Sequence, residues 1–176
     1  MILGVVLAGG NSSRFGSDKA LAEWGGKPLL AHAVDALARQ SDAVVIAGRE
    51  TGPAPCIPDW PEPGMGPLGG IAAGLRHAEA NGFESIMTCG VDSPDLSQIE
   101  LARLRSPPCY LADQPVIGHW PLSAARVVET ILMRDSRHSM REFAEAIGAR
   151  GVKSDAKAAN INTPADLAAA EKRNGL

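Results

Sequence analysis

Aromatic residues are scarce in this chain: three Trp, three Phe and one Tyr among 176 residues. A core here has to be built mainly from Ala, Val, Leu and Ile. Cysteines are equally few. Cys56, Cys89 and Cys109 stand far apart and form no C-x-x-C pair, which argues against a metal knot or a disulfide framework and points to the cytoplasm. Positive charge is not in excess, and the formal net charge of −3 speaks against a nucleic-acid surface. Any anion must therefore be held by a local cluster. No apolar run is long enough for a membrane span; the one at the N-terminus lacks a basic leader and runs straight into glycines, which reads as a strand and not as a signal peptide. The sequence has no internal repeat and no low-complexity tract. Its length suits one α/β domain over residues 1–176.

What the chain does have is concentrated in its first twenty residues. The run from Ile2 to Leu7 reads as a buried strand that stops at Ala8-Gly9-Gly10. Adjacent glycines can turn successive N–H groups toward one anion, and Ser12, Ser13, Arg14 and Lys19 add hydroxyl and cationic donors. A polyphosphate would use all of them. The spacing fits neither the Walker pattern G-x-x-x-x-G-K-[ST] nor the dinucleotide pattern G-x-G-x-x-G.

Further along, Gly25-Gly26-Lys27-Pro28 reads as a turn, followed by a helix from about Pro28 to Arg39 with apolar spacing at Leu29, Leu30, Ala33, Val34 and Leu37. His32 on that helix reads as a surface or satisfied core histidine. Ala43–Ala47 is a second short buried strand, so the sheet begins parallel. The Pro- and Gly-rich stretch from Gly52 to Gly70 contains Asp59 and leads into a helix over Pro67–Ala80, whose first half is crowded with Gly69, Gly70 and Gly74. Glycines there fit either close helix-to-sheet packing or close approach of a ligand.

The next strand, Glu84–Cys89, runs into Gly90-Val91-Asp92-Ser93-Pro94-Asp95. Ligands of an open parallel sheet sit beyond the carboxyl ends of the strands, so Asp92 and the glycine loop are expected at one crevice. A carboxylate among phosphates would hold Mg²⁺, and Asp95 is expected to cap a helix from Ser97 to Arg105. Strands are expected at Pro108–Ala112 and Pro115–Leu122, and helices at Ser123–Met133 and Ser139–Ile147. Arg134, Arg137, His138 and Arg141 form a basic cluster that fits a solvated face or an acidic partner. Near the end, Thr163-Pro164-Ala165-Asp166 reads as a helix start, with Asn160 and Asn162 left unexplained by structure.

The segment Leu7-Ala-Gly-Gly-Asn-Ser-Ser-Arg-Phe-Gly-Ser-Asp-Lys19 resembles L-A-G-G-x-S-x-R-x-G-x-D-K, the signature loop of nucleotidyltransferases that couple an NTP to a phosphorylated acceptor. Within that superfamily it is most similar to the MobA-like molybdenum cofactor guanylyltransferases. The G-P-L-G-G segment, the D-S-P turn and the N-I-N-T-P ending follow in the family's order. The resemblance implies a three-layer, Rossmann-like α/β fold with a mostly parallel central sheet. It implies transfer of GMP from GTP to molybdopterin with release of pyrophosphate, Mg²⁺ as cofactor, and Arg14, Lys19 and Asp92 as catalytic residues, with Asp92 holding the metal. Nucleotide contacts are expected from Leu7, Ala8, Gly9, Gly10, Lys19, Asp59, Pro67, Leu68, Gly69 and Asp92. Acceptor-side contacts are expected from His119, Asn160 and Asn162, with Trp120 beside them.

Two features depart from the family pattern: Phe15–Lys19 is one residue tighter than in some members, and Ser106–Leu122 is compact. Both bear on the acceptor more than on the nucleotide. The alternatives are a molybdopterin cytidylyltransferase, another NMP transferase, or a non-catalytic nucleotide-binding partner of a molybdoenzyme. Degenerate relatives of that last kind lose a phosphate-binding cation or the metal carboxylate, whereas this chain keeps all three. The expected state is a monomer with transient contacts to cofactor-synthesis or molybdoenzyme partners.

Overall fold

A computed structural model describes residues 1–10, 15–96, 101–134, 138–154 and 159–175. Its organising element is β1 (Ile2–Leu7), which pairs in parallel with β4 (Ala43–Ala47) on one side and with β6 (Ser85–Gly90) on the other. A two-residue strand β5 (Cys56–Ile57) extends the parallel set beyond β4. On the far side, β8 (Gln114–Pro121) runs antiparallel to β6, β7 (Cys109–Leu111) antiparallel to β8, and β9 (Arg150–Val152) parallel to β7. The order is β5-β4-β1-β6-β8-β7-β9, a mostly parallel seven-stranded sheet. A separate hairpin, β2 (Glu23–Trp24) and β3 (Lys27–Pro28), occupies the place expected for a simple turn.

Alternation along the central strands sends side chains into two apolar layers. Leu3, Val5 and Ile86 pack with Ile71 and Leu75 of α2 (Pro67–Ala80), while Val6, Ile46 and Met87 pack with Leu30 and Leu37 of α1 (Leu29–Ala38). The α2 side also carries α3 (Ala125–Leu132) and α4 (Met140–Ala146). Both faces of the sheet are thus covered, giving the three-layer architecture. The last helix, α5 (Pro164–Arg173), starts at a capping box in which Thr163 Oγ1 accepts from Asp166 N and Asp166 accepts from Thr163 N.

Several boundaries differ from the sequence expectation. β9 follows α4 and takes its backbone partners from β7, a pairing across some forty residues that local pattern does not encode. Of the expected helix at 97–105 the structure shows a single 3₁₀ turn, Leu101–Arg103, and residues 97–100 lie outside the described residues. The backbone that Asp95 was expected to cap lies outside the described residues. Both Asp95 carboxylate oxygens accept from Ala159 N, at 3.1 Å each, which fastens the C-terminal segment to the end of β6.

Candidate active site

The four parallel strands end in a row, and the segments leaving them enclose a cavity of about 210 Å³. Ala8, Gly9 and Gly10 leave β1, Asp59 follows β5, and Val91 and Asp92 leave β6. The start of α2 closes one side with Gly66, Pro67 and Gly70, and Val116 of β8 closes another. Asp18 and Lys19 come in from the signature loop. The structure therefore brings Leu7, Ala8, Gly9, Gly10, Lys19, Asp59, Pro67 and Asp92 to one cavity.

Asp59 is set by backbone contact. Gly48 leaves β4 at φ +83°, and a Cβ there would stand 2.5 Å from Gly9 Cα and 3.1 Å from Asp59 Oδ1. Only a residue without a side chain lets these two strand ends touch and bring the Asp59 carboxylate against Gly9. Burial pushes the Asp59 carboxyl above the ordinary carboxylate range. Such a group gains when N–H donors arrive to pair it.

Asp92 stands at the other end of the row. A Cβ on Gly90 would fall 2.8 Å from Asp92 Oδ1, so the carboxylate lies folded over the end of β6. The Asp92 carbonyl accepts from Ile161 N at 2.8 Å, and Ser93 Oγ donates to Gln114 Oε1 at 2.7 Å, which fixes the turn from both sides. Among the described residues there is no group of three His, Cys, Asp or Glu that could cage a metal. A carboxylate such as Asp92 at a strand end is the kind of hard oxygen ligand that Mg²⁺ takes beside waters and the oxygens of a bound phosphate.

Lys19 opens a 3₁₀ turn, Lys19–Leu21, capped by Asp18, whose Oδ1 accepts from Ala20 N at 3.1 Å. The same carboxylate is held by Arg49 in a bidentate pair, Nη1 to Oδ1 at 3.0 Å and Nη2 to Oδ2 at 2.7 Å. These donors hold Asp18 well below the usual carboxylate range. Lys19 Nζ donates to the carbonyl of Ile161 at 2.8 Å, so the N-I-N-T-P segment is tied to the signature loop as well as to Asp92. Arg49, Gly48 and Gly90 escaped the sequence reading. The signal for Gly48-Arg49 was available, since the pair directly follows the second parallel strand.

Other expected residues lie elsewhere. His119 is buried in β8 at 3% exposure, and the Leu104 carbonyl lies 2.5 Å from its Nδ1. A carbonyl only accepts, so Nδ1 carries the proton and Nε2 accepts from Ser85 Oγ at 2.8 Å. It is a satisfied core histidine, not an acceptor contact. Trp120, adjacent on the strand, faces the opposite layer, donates to Thr88 Oγ1 at 2.9 Å and packs on Tyr110 and Phe143. Leu68 is in the core, and Gly69 carries a backbone bond to Trp60 N; Gly70, not Gly69, faces the cavity. Asn160 and Asn162 bond each other at 3.1 Å, and Asn160 borders a separate open depression with Asp166 and Lys172. The basic cluster is largely self-paired: Arg134 with Glu142 at 3.0 Å, Arg141 with Glu145 at 2.8 Å. Ser12, Ser13, Arg14 and Arg137 lie outside the described residues.

A glycine loop, a lysine and carboxylates converging at the ends of parallel strands match a known pattern. The sequence model of the MobA-like NTP transferase domain matches residues 4–155. The chain belongs to the MobA-like NTP transferase family. Molybdenum cofactor guanylyltransferases of Rhodobacter capsulatus and Acidiphilium cryptum are 34% and 36% identical to it, over 98% and 95% of this chain and 96% and 92% of theirs. The fold matches the molybdopterin-guanine dinucleotide biosynthesis protein A of Archaeoglobus fulgidus with a TM-score of 0.73 at 22% identity, covering 98% of both chains. It also matches a CMP:2-keto-3-deoxy-manno-octonic acid synthetase solved with CTP, with a TM-score of 0.70 at 13% identity over 99% of this chain and 98% of that one. As a member of this family the chain is a nucleotidyltransferase, and the cavity lies at the carboxyl ends of its parallel strands, where open α/β sheets take their ligands.

Proposed function

We propose that the chain transfers GMP from GTP to the terminal phosphate of molybdopterin, forming a guanine dinucleotide and releasing pyrophosphate. The observation that carries this reading is that the Gly9-Gly10 loop, Lys19, Asp59 and Asp92 line one and the same cavity. The acceptor phosphate is already ionised, so no general base is needed. Its oxygen attacks the α-phosphorus while the bond to the β-phosphate bridging oxygen breaks, and pyrophosphate leaves with that electron pair. The chain supplies position and charge. Amides of the glycine loop donate to phosphate oxygens, and Lys19 stabilises the leaving pyrophosphate. The acceptor would approach past the Asn160–Asn162 segment, which lies outside the cavity lining but is tied to Lys19 and Asp92 through Ile161.

Asp92 would hold Mg²⁺, which when bound neutralises charge on the phosphates. At the other end, the half-buried Asp59 carboxylate can accept from N1–H and N2–H of guanine together, whereas cytosine offers it a single amino group. That difference favours GTP over CTP. The three free cysteines suit a reducing compartment, and we place the enzyme in the cytoplasm. Among the described residues no helix is long and apolar enough to cross a membrane.

Thermal unfolding with GTP, CTP, ATP and UTP, each with and without Mg²⁺, tests the reading. A ligand at a hundredfold its Kd stabilises by roughly 2.7 kcal/mol, about 5–10 °C for a domain of this size. GTP is expected to give the largest shift, enlarged by Mg²⁺. A larger shift with CTP would replace the guanylyl by the cytidylyl reaction, and no shift with any nucleotide would overturn the proposal.

A further inference from the structure

A carboxylate in the wall of a polyphosphate cavity is an anomaly unless something cancels it. Asp92 has a metal to hold and Asp59 a base to pair, but Asp18 faces the cavity next to Lys19 with neither task. It is kept because its oxygen caps the turn that begins with Lys19. The cost is a negative charge one residue from the phosphate-binding cation.

We propose that Arg49 is a positioning residue that cancels the Asp18 carboxylate, so that the Asp18 cap can hold Lys19 toward a polyphosphate without repelling it. The inference rests on the nucleotide reading of the cavity. Arg49 is not part of the cavity wall. It spends both terminal nitrogens on Asp18, and its buried Nε has no hydrogen-bond partner among the described residues. A guanidinium held in that way is committed to one carboxylate by a planar two-point fit, which a lysine ammonium cannot reproduce. The pair also joins the signature loop to the Gly48 turn, thirty-one residues away in the chain, and so ties the Lys19 side of the cavity to the Asp59 side.

The test is GTP binding with Mg²⁺ by calorimetry, together with steady-state turnover, for the wild type, Arg49→Met, Asp18→Asn and the double variant. Asparagine keeps the capping oxygen and drops the charge. Arg49→Met is expected to weaken GTP binding about tenfold and to raise KM for GTP more than it lowers kcat. The double variant is expected to recover most of that loss, because the uncancelled carboxylate is gone. Arg49→Lys should fall between the wild type and Arg49→Met.

Asp18→Asn alone leaves Arg49 in excess, and should bind GTP at least as tightly as the wild type, with a steeper loss of affinity in salt. This single variant keeps the question open to test should Arg49→Met not fold. Arg49→Met with wild-type affinity, a double variant no better than Arg49→Met, or weakened binding by Asp18→Asn would each overturn the inference. Wild-type titrations with all four nucleotides run alongside. A preference for another base would remove the guanylyl reading and leave the charge argument standing, whereas no nucleotide binding at all would remove both.

Discussion

Lys19 Nζ donates to the Ile161 carbonyl, 142 residues away in the chain, at 2.8 Å. The cation expected on the nucleotide phosphates thus also rests on the peptide between Asn160 and Asn162. Ile161 N in turn donates to the carbonyl of Asp92. Signature loop, C-terminal segment and the Asp92 turn are thus linked by two hydrogen bonds that meet at Ile161.

Lys19→Met should therefore harm both substrates. Loss of a charge aimed at the leaving group lowers kcat by roughly 10²-fold, and the untied segment raises KM for the acceptor as well as for GTP. Steady-state kinetics with each substrate varied in turn checks this; an effect confined to GTP would contradict a role for the Lys19–Ile161 link.

Gly90→Ala places a Cβ 2.8 Å from Asp92 Oδ1, so the carboxylate must turn away. Displacement of a catalytic group by about 1 Å can cost up to 10²-fold. We expect a loss of about tenfold or more in kcat and a higher Mg²⁺ concentration for half-maximal rate, with Asp92→Asn as the more severe case. Mg²⁺ titrations of turnover read the shift, and an unchanged midpoint would speak against Asp92 as the metal residue.

Asp59→Asn separates binding from stability. The folded carboxyl titrates above its unfolded value of 3.8, so the folded state loses stability as pH rises through that window, and at neutral pH the free protein bears the cost. Removing the charge should leave the melting temperature unchanged or higher. GTP affinity should drop about tenfold or more, with much of the discrimination against CTP lost. Melting curves and nucleotide titrations on the same sample decide it.

His119 has a stability role and no catalytic one. Burial lowers its pKa beneath 6.5, so above that pH both states hold it neutral, and as pH falls below 6.5 the unfolded chain takes up a proton the folded one resists. Stability is lost on that acid side. His119→Ala leaves Ser85 Oγ and the Leu104 carbonyl without their partner, at a cost of about 1–3 kcal/mol. Its acid limb should be flatter than the wild type's, and kcat at pH 7.5 should stay within about twofold for a residue outside the site. A large fall in kcat without unfolding would restore His119 to the acceptor site.

The contrast between His119 and Asp92 explains what could be read in advance. Asp92, Lys19 and Gly9-Gly10 sit where strands end, and a strand end with its turn residues is a local pattern, legible in any short window. His119 and Trp120 are neighbours on β8, and their opposite faces are both covered, because helices lie on both sides of the sheet. A polar residue on such a strand faces the core whichever way it points. Arg49 and Asp18, Asp95 and Ala159, and β7 and β9 are pairings between distant segments. Nothing in the local sequence of either partner names the other.

The account turns on which phosphate of which nucleotide moves. Incubating the enzyme with GTP labelled at the α-phosphate, molybdopterin and Mg²⁺ decides this in one reaction. The account predicts label in a molybdopterin–guanine dinucleotide with one pyrophosphate released per transfer, and no transfer of label from the γ-phosphate. Label remaining in GTP or appearing as free GMP, or transfer from CTP in preference to GTP, would contradict it.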